Sequence, residues 1–426
     1  MTTQNRGQEI YNLARELFPI CRSITGDGVR RTLEILGSRC GGVKVYEVPT
    51  GTRAFDWVVP KEWVVRDAYI ECPDGSRIAE FSRNNLHLMG YSAPVDRRMR
   101  LDELQRYLYS LPEQPSVIPY MTSYYEERFG FCVSHEERLR LENGVYRVYV
   151  DSALKDGFLS YGEVVIPGES EEEIFFSSYV CHPSMANNEL SGPCVAAFLA
   201  RWIAESPRRF TYRLIFIPET IGSIVYLSRN LDKMKRDIRA GFNLSCLGDR
   251  GAFSYISSRY GNTLADKAAK AVLEAFAPGY RSYSFLSRGS DERQYNAPFV
   301  DLPVCCLART IFGGYPEYHT SADNMDYITA ESLGKSLELL IKLVESLEAN
   351  GRYKVQCLCE PHLSSRGLYP TESGKNSGLG PRTMMNFIAY CDGKNDIFDI
   401  ARIIKTPVLE LVPIAARLTS AGLIAR

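Results

Sequence analysis

Apolar residues recur at helical spacing as soon as the chain begins: Ile10, Leu13, Ala14 and Leu17 share one face of a helix over about residues 8–20. RSITGDGVRRTLEIL follows, where Thr25, Gly26 and Gly28 end one helix before the next begins, so two helices open the chain. From about 43 to 165 the period shortens. VKVYEVPTG, DWVVPKEWVVRDAYIECPDGSRIAEF and NGVYRVYVDS are short β-rich runs parted by turn signals such as CPDG, the texture of a small β domain. From about 170, apolar strands alternate with amphipathic helices: EEIFFSSYV, SGPCVAAFLARWIAES, YRLIFIPE, SIVYLSRNLDKMKRDI, RAGFNLSCLG. Strands that are apolar throughout imply a sheet covered on both faces, and such sheets bind ligands beyond the carboxyl ends of their strands. After the helix ESLGKSLELLIKLVESLEAN comes a Gly-, Ser- and Pro-rich stretch, SSRGLYPTESGKNSGLGPR, which reads as a linker or docking segment. The tail from TMMNF carries three short helical patterns with a Thr-Pro break, the layout of a helix-turn-helix or winged-helix module.

Composition narrows the class. A chain of 426 residues predicts two or three units, and 45% hydrophobic with 24% charged residues is globular composition. A net charge of -1 gives no electrostatic case for nucleic acid or an anionic membrane. The N-terminal segment has no apolar core behind a basic start, and no apolar run approaches the roughly 18 residues that span a bilayer, so the expected compartment is the cytoplasm. The 12 cysteines are scattered without a CxxC pattern, which predicts reduced, mostly buried thiols.

Among five histidines, His182 and His319 stand just after apolar runs in turn-rich contexts, YVCHPSMANNELSG and YPEYHTSADN. Neutral imidazoles converging on one point suit zinc, with a position left for water; the ordinary alternative is a pair of satisfied loop histidines. Glu219 follows the strand LIFIP directly, where it serves either as a general base or as a cap for the next helix. Asp249, Asp291 and Glu292 also lie in strand-end or loop contexts, where acids are most often turn formers or ion-pair partners. Their order along a doubly wound sheet is what would bring them together.

At these residues the sequence resembles the co-catalytic zinc aminopeptidase superfamily: CHPSMANNELSG, IPETIGS, NLSCLGD, RGSDERQ and YHTSADN match its stations in order. It resembles more closely the bacterial polysaccharide-biosynthesis proteins with an aminopeptidase-like domain. That similarity runs over nearly the whole chain, through RSITGDG, VPKEWVVRDAYI, IPYMTSYYEERFGFC, GSDERQY and the C-terminal winged helix. The resemblance implies an α/β fold with a doubly wound mixed sheet formed by residues 1–42 and 166–350, an inserted β-rich domain at 43–165, and a winged-helix-like unit at 355–426. It also exposes departures. The superfamily's bridging aspartate falls on Asn188, its second glutamate on Thr220 and its other strand-end aspartate on Ser245, and neutral oxygens are poor zinc ligands.

Carried over residue by residue, the resemblance implies one zinc ion held by His182, His319 and a carboxylate, Glu189 or Asp249. Glu219 would then be the base of amide hydrolysis, and Asn188, Asp291 and Glu292 would contact substrate, the acids by meeting a free amine. The expected partner is a small peptide, an amide-bearing sugar or another metabolite, with no nucleic acid, no membrane and a homodimer as an option. The competing expectation is a non-catalytic or regulatory protein whose degraded peptidase site is a binding pocket. The insertion is expected to narrow the pocket. The C-terminal unit is expected to pack on the catalytic domain or mediate dimerisation, because PVLELVPIAARLTS offers only Arg417 as a basic residue.

Overall fold

Strand order explains where the chemistry gathers. In the computed structural model, which describes residues 3–368 and 380–426, an eight-stranded sheet runs in spatial order 44–49, 158–166, 211–217, 173–179, 238–244, 304–308, 254–256, 281–283. The four strands from Thr211–Ile217 across to Val304–Ala308 are mutually parallel; antiparallel strands flank them on both sides. Both faces are covered, as the unbroken apolar runs require. Alternate residues of each central strand enter different cores: Ile174, Phe176, Leu214 and Phe216 pack on one side, Phe175, Ile215 and Ile217 on the other.

The first core is closed by the helices Thr3–Leu17, Asp27–Arg39, Ser191–Ala204, Leu264–Phe276 and Ala330–Glu348. The last of these starts at Thr329, whose side chain accepts from Ser332 N, and buries Leu333, Leu337, Leu340 and Leu347 at helical spacing. Burying each such side chain contributes about 1.5–3 kcal/mol. Ile221–Asp237 covers the second face together with the insertion.

The division at 43 and 165 needs correction. Lys44–Pro49 pairs with Phe158–Ile166, which in turn pairs with Thr211–Ile217, so both belong to the main sheet. Only the chain between them leaves it, building a four-stranded antiparallel sheet in the order Arg77–Ile78, Glu62–Glu71, Val145–Lys155, Val95–Arg100. Alternation within VYEVP is that of an edge strand whether it belongs to the large sheet or to a small one, which is why composition alone misplaced it.

At the C-terminus, Gly380–Ala389, Ile397–Ile404 and Val408–Ser420 form three helices, and Lys354–Val355 pairs with Ile424–Ala425. Phe387, Ile400, Leu411 and Leu418 share one core cluster with Leu273, Leu339 and Leu343, so this unit packs on the sheet domain. The middle of the Gly- and Pro-rich stretch, 369–379, lies outside the described residues. All 12 cysteines are free thiols. Among the described residues no helix is long and apolar enough to cross a membrane.

Candidate active site

Parallel register sets the first contacts. Tyr179 pairs with Ile217, so two residues beyond each strand Cys181 and Glu219 come side by side, and the Glu219 backbone N–H donates to Cys181 Sγ at 3.2 Å. His182 follows. Its Nδ1 lies 3.0 Å from Glu189 Oε2, while its Nε2 faces Glu219 Oε2 at 3.8 Å, beyond hydrogen-bond length. The long loop carrying Tyr318 and His319 brings the second imidazole to a ring-centroid distance of 5.4 Å from the first. Tyr318 stacks on His319, and Tyr120 of the insertion stands edge-on to it. His319 Nε2 is buried without a hydrogen-bond partner.

Cys181, His182, Glu219 and His319 line a cavity of about 490 Å³, together with Ile24, Trp57, Tyr120, Tyr124, Tyr125 and Arg293. The insertion thus supplies aromatic walls. It is also fastened to the histidine loop: Tyr120 N donates to His319 O, Ser321 N to Ile118 O, and Ile118 N to Ser321 Oγ.

Behind the cavity wall the electrostatics are unusual. Glu189 is fully buried, and Arg22, equally buried, places Nε 3.3 Å from its Oε1 while donating to the carbonyls of His182 and Leu17. Burial opposes charge on His182, yet the Cys181 sulfur and the Glu189 carboxylate outweigh it and hold its pKa well above the ordinary imidazole value. Burial and the neighbouring His182 push His319 down to about 3, keeping it neutral. Burial drives the Cys181 thiol up to about 11, so it is not a thiolate near neutral pH.

The positions that depart from the superfamily pattern carry neutral side chains engaged in hydrogen bonds. Tyr179 Oη lies 2.6 Å from Ser245 Oγ and donates toward Asn188 O and Oδ1. Thr220 Oγ1 accepts from Arg293 Nη2 at 2.6 Å. The turn Ala186–Leu190 is held by Asp323, whose carboxylate accepts from the backbone N–H groups of Ala186, Asn187 and Asn188. Gly192 is needed here, since a Cβ would stand 2.4 Å from Ser178 Oγ and 2.6 Å from Leu244 O. Thr220 and His319 both have positive backbone φ, 64° and 56°, which residues other than glycine rarely adopt.

Not every expected residue reaches the cavity. Asp249 accepts from Gly251 N, Thr310 N, Thr310 Oγ1 and Asn187 Nδ2, a set of bonds that ties two loops and leaves its oxygens engaged. Asp291 accepts from Thr220 N and Ser223 Oγ; burial and Glu219 push its pKa up to about 7. Glu292 accepts from Gly289 N, Ser290 N and Asn243 Nδ2. Both acids are fully buried and are not among the residues that line the cavity. Asn188 is likewise buried and turned to Tyr179. Among the described residues, the one group of three metal-capable donors within 4.8 Å of one another is Cys181, His182 and Glu189. Sequence reasoning missed Arg22, Asp323, Tyr120 and Arg293 as site residues, although RSITGDG, SADN, IPYMTSYY and GSDERQY contain them.

This fold is that of the zinc aminopeptidases. The fold matches a zinc aminopeptidase from Bacillus subtilis at 14% identity with a TM-score of 0.58, covering 81% of this chain and 95% of that one. The chain belongs to the family described as domain of unknown function DUF4910, whose model matches residues 11–350, and a winged helix-turn-helix family model matches residues 351–426. A Clostridium acetobutylicum protein, named as a candidate polysaccharide biosynthesis protein with an aminopeptidase-like domain, is 43% identical over 397 residues, 93% of this chain and 91% of its own length. A crystal structure from the same organism, of a protein named as a candidate peptidase, superposes with a TM-score of 0.93 at 40% identity, covering 99% of this chain and 97% of that one.

Proposed function

We propose that this protein is an aminopeptidase-like, metal-dependent hydrolase that cleaves an amide bond in a small peptide, an amide-bearing sugar or a related metabolite. One observation carries the reading: two imidazoles face one cavity, and one of them is braced from behind by a buried carboxylate. A histidine that gives Nδ1 to a carboxylate and turns Nε2 outward has the arrangement of a metal ligand, and the orphaned Nε2 of His319 is the second donor. The donor set fits one zinc ion, held by His182 and His319, with Glu219 facing the same cavity as a base and not as a ligand. It does not fit two, because Asn188, Ser245 and Thr220 offer neutral oxygens already engaged with Tyr179 and Arg293.

A bound zinc ion would supply Lewis acidity and a water of lowered pKa. The residues supply the rest. Glu219, the one carboxylate on the cavity wall, takes the proton of the attacking water and returns it to the leaving nitrogen. Glu189 and Arg22 fix the tautomer and orientation of His182, and the aromatic walls exclude bulk water.

The rival reading, a binding pocket without turnover, is favoured by the neutral Tyr179, Asn188 and Ser245 cluster. Metal content separates the two. We expect about one zinc per chain after purification without chelator, loss of that zinc in His182→Ala, and its retention in Glu219→Gln with amide cleavage reduced about 10²- to 10⁴-fold. Zinc far below one equivalent together with no cleavage of any amide in a dipeptide and N-acyl sugar panel rules the hydrolase out.

A further inference from the structure

We infer that the pocket selects substrates carrying an oxyanion, a carboxylate or a phosphate ester, which Arg293 binds beside the scissile amide. The inference rests on the reading of this cavity as the reaction site, and it goes beyond it by reversing the charge expected of the ligand. An aminopeptidase must meet a cationic amine with carboxylates. The acids expected to do so, Asp291 and Glu292, are fully buried and not among the residues lining the cavity: Asp291 Oδ1 accepts from Thr220 N and Ser223 Oγ while its Oδ2 has no partner among the described residues, and Glu292 accepts from Gly289 N, Ser290 N and Asn243 Nδ2. The one carboxylate that lines the cavity, Glu219, faces His182 and is reserved for the water proton.

The positive charge that lines the cavity has no carboxylate in salt-bridge contact, although Asp291 lies near enough to feel it. Arg293 donates from Nη2 to the Thr220 hydroxyl, a neutral partner, and its Nε is buried without any partner. Among the described residues it makes no ion pair, a state it shares with the buried Arg309, whereas Arg22 and Arg213 each face a carboxylate. A guanidinium held by a threonine in an aromatic-walled cavity still has Nη1, without a partner among the described residues, to offer an incoming oxyanion, and low local dielectric strengthens that contact. Trp57 and Tyr125 stand at 40% and 53% exposure with ring centroids 6.0 Å apart, leaving apolar surface at the same cavity for the body of the ligand.

Binding rather than turnover tests this. Wild-type protein is titrated by calorimetry with N-acetylphenylalanine against its methyl ester, with N-acetylglucosamine 6-phosphate against N-acetylglucosamine, and with leucinamide as the free-amine probe. In at least one of the first two pairs the anion binds about ten-fold or more tightly than its neutral partner, and the pair that does so tells carboxylate from phosphate. Arg293→Met abolishes the preference while zinc content and melting temperature stay at wild-type values; Arg293→Lys, the variant to use if the methionine form misfolds, keeps part of it. The inference is overturned if neutral partners bind as well as the anions, if leucinamide binds more tightly than either anion, if no anion binds at millimolar concentration, or if the preference survives in both Arg293 variants. Anion preference without any amide turnover or zinc leaves this inference standing and removes the hydrolase reading alone.

Discussion

Arg22 and Glu189 face each other with neither side chain exposed, Nε 3.3 Å from Oε1. Arg22 also holds the carbonyl of His182, so one guanidinium braces both the carboxylate behind the imidazole and the backbone that carries it. Removing one partner of such a pair strands a buried charge and costs about 3–5 kcal/mol. Arg22→Met is therefore expected to lower unfolding free energy by about that amount in urea titration, and adding Glu189→Gln to it should recover part of the loss. A single variant within about 1 kcal/mol of wild type contradicts the pairing.

Glu189→Gln alone probes orientation. The amide still reaches His182 Nδ1 but accepts more weakly and leaves Arg22 unpaired, so zinc affinity should fall about 10- to 100-fold, as for other carboxylates behind a ligating histidine. Competition with a fluorescent chelator measures this, and unchanged affinity would falsify the bracing role.

Acid sensitivity should report His319. Its folded pKa lies near 3, below the ordinary value of 6.5, because burial and His182 oppose its charging. A histidine depressed in this way stabilises the fold fully above pH 6.5, and the contribution drains away as pH falls from 6.5 toward 3, since the unfolded chain binds the proton first. Chelated wild-type protein should lose stability across that window more steeply than His319→Gln, measured as urea midpoints at pH 8, 6 and 5. Parallel slopes for the two proteins would show that His319 is not buried as described.

The C-terminal unit should behave as part of the core. In the helix Val408–Ser420 the residues Val408, Leu411, Ala415 and Leu418 are buried and Arg417 is the one basic residue. Truncation after residue 350 exposes Leu339 and Leu343 of the shared cluster, so the shortened chain should melt lower or aggregate. The intact chain should not bind DNA sequence-specifically with submicromolar affinity at physiological salt; a retarded, salt-resistant band with one DNA sequence would overturn this.

What was legible in the sequence was whatever strand periodicity carries. His182 and Glu219 follow apolar strands that lie side by side, so their meeting is a matter of register, and His319 was legible from the motif around it. Hydrogen bonding across long separations was not legible. Arg22 reaches His182 over 160 residues, and Tyr120 reaches the His319 loop from an insertion whose own pattern only announces strands. Nor could spacing tell that Asp249, Asp291 and Glu292 face inward: an acid beyond a strand end looks the same whether it meets a ligand or satisfies backbone N–H groups. The edge strand Lys44–Pro49 went to the wrong sheet for a similar reason, because alternation marks a strand and not its neighbour.

The stitching of Ile118 and Tyr120 to His319 and Ser321 has a mechanical consequence. The wall of the cavity and one of its imidazoles are on a single leash. Moving the insertion aside either breaks those bonds or drags His319 along with it, and in the second case the pair of imidazoles comes apart. The position of the insertion and the placement of His319 are thus coupled through the backbone.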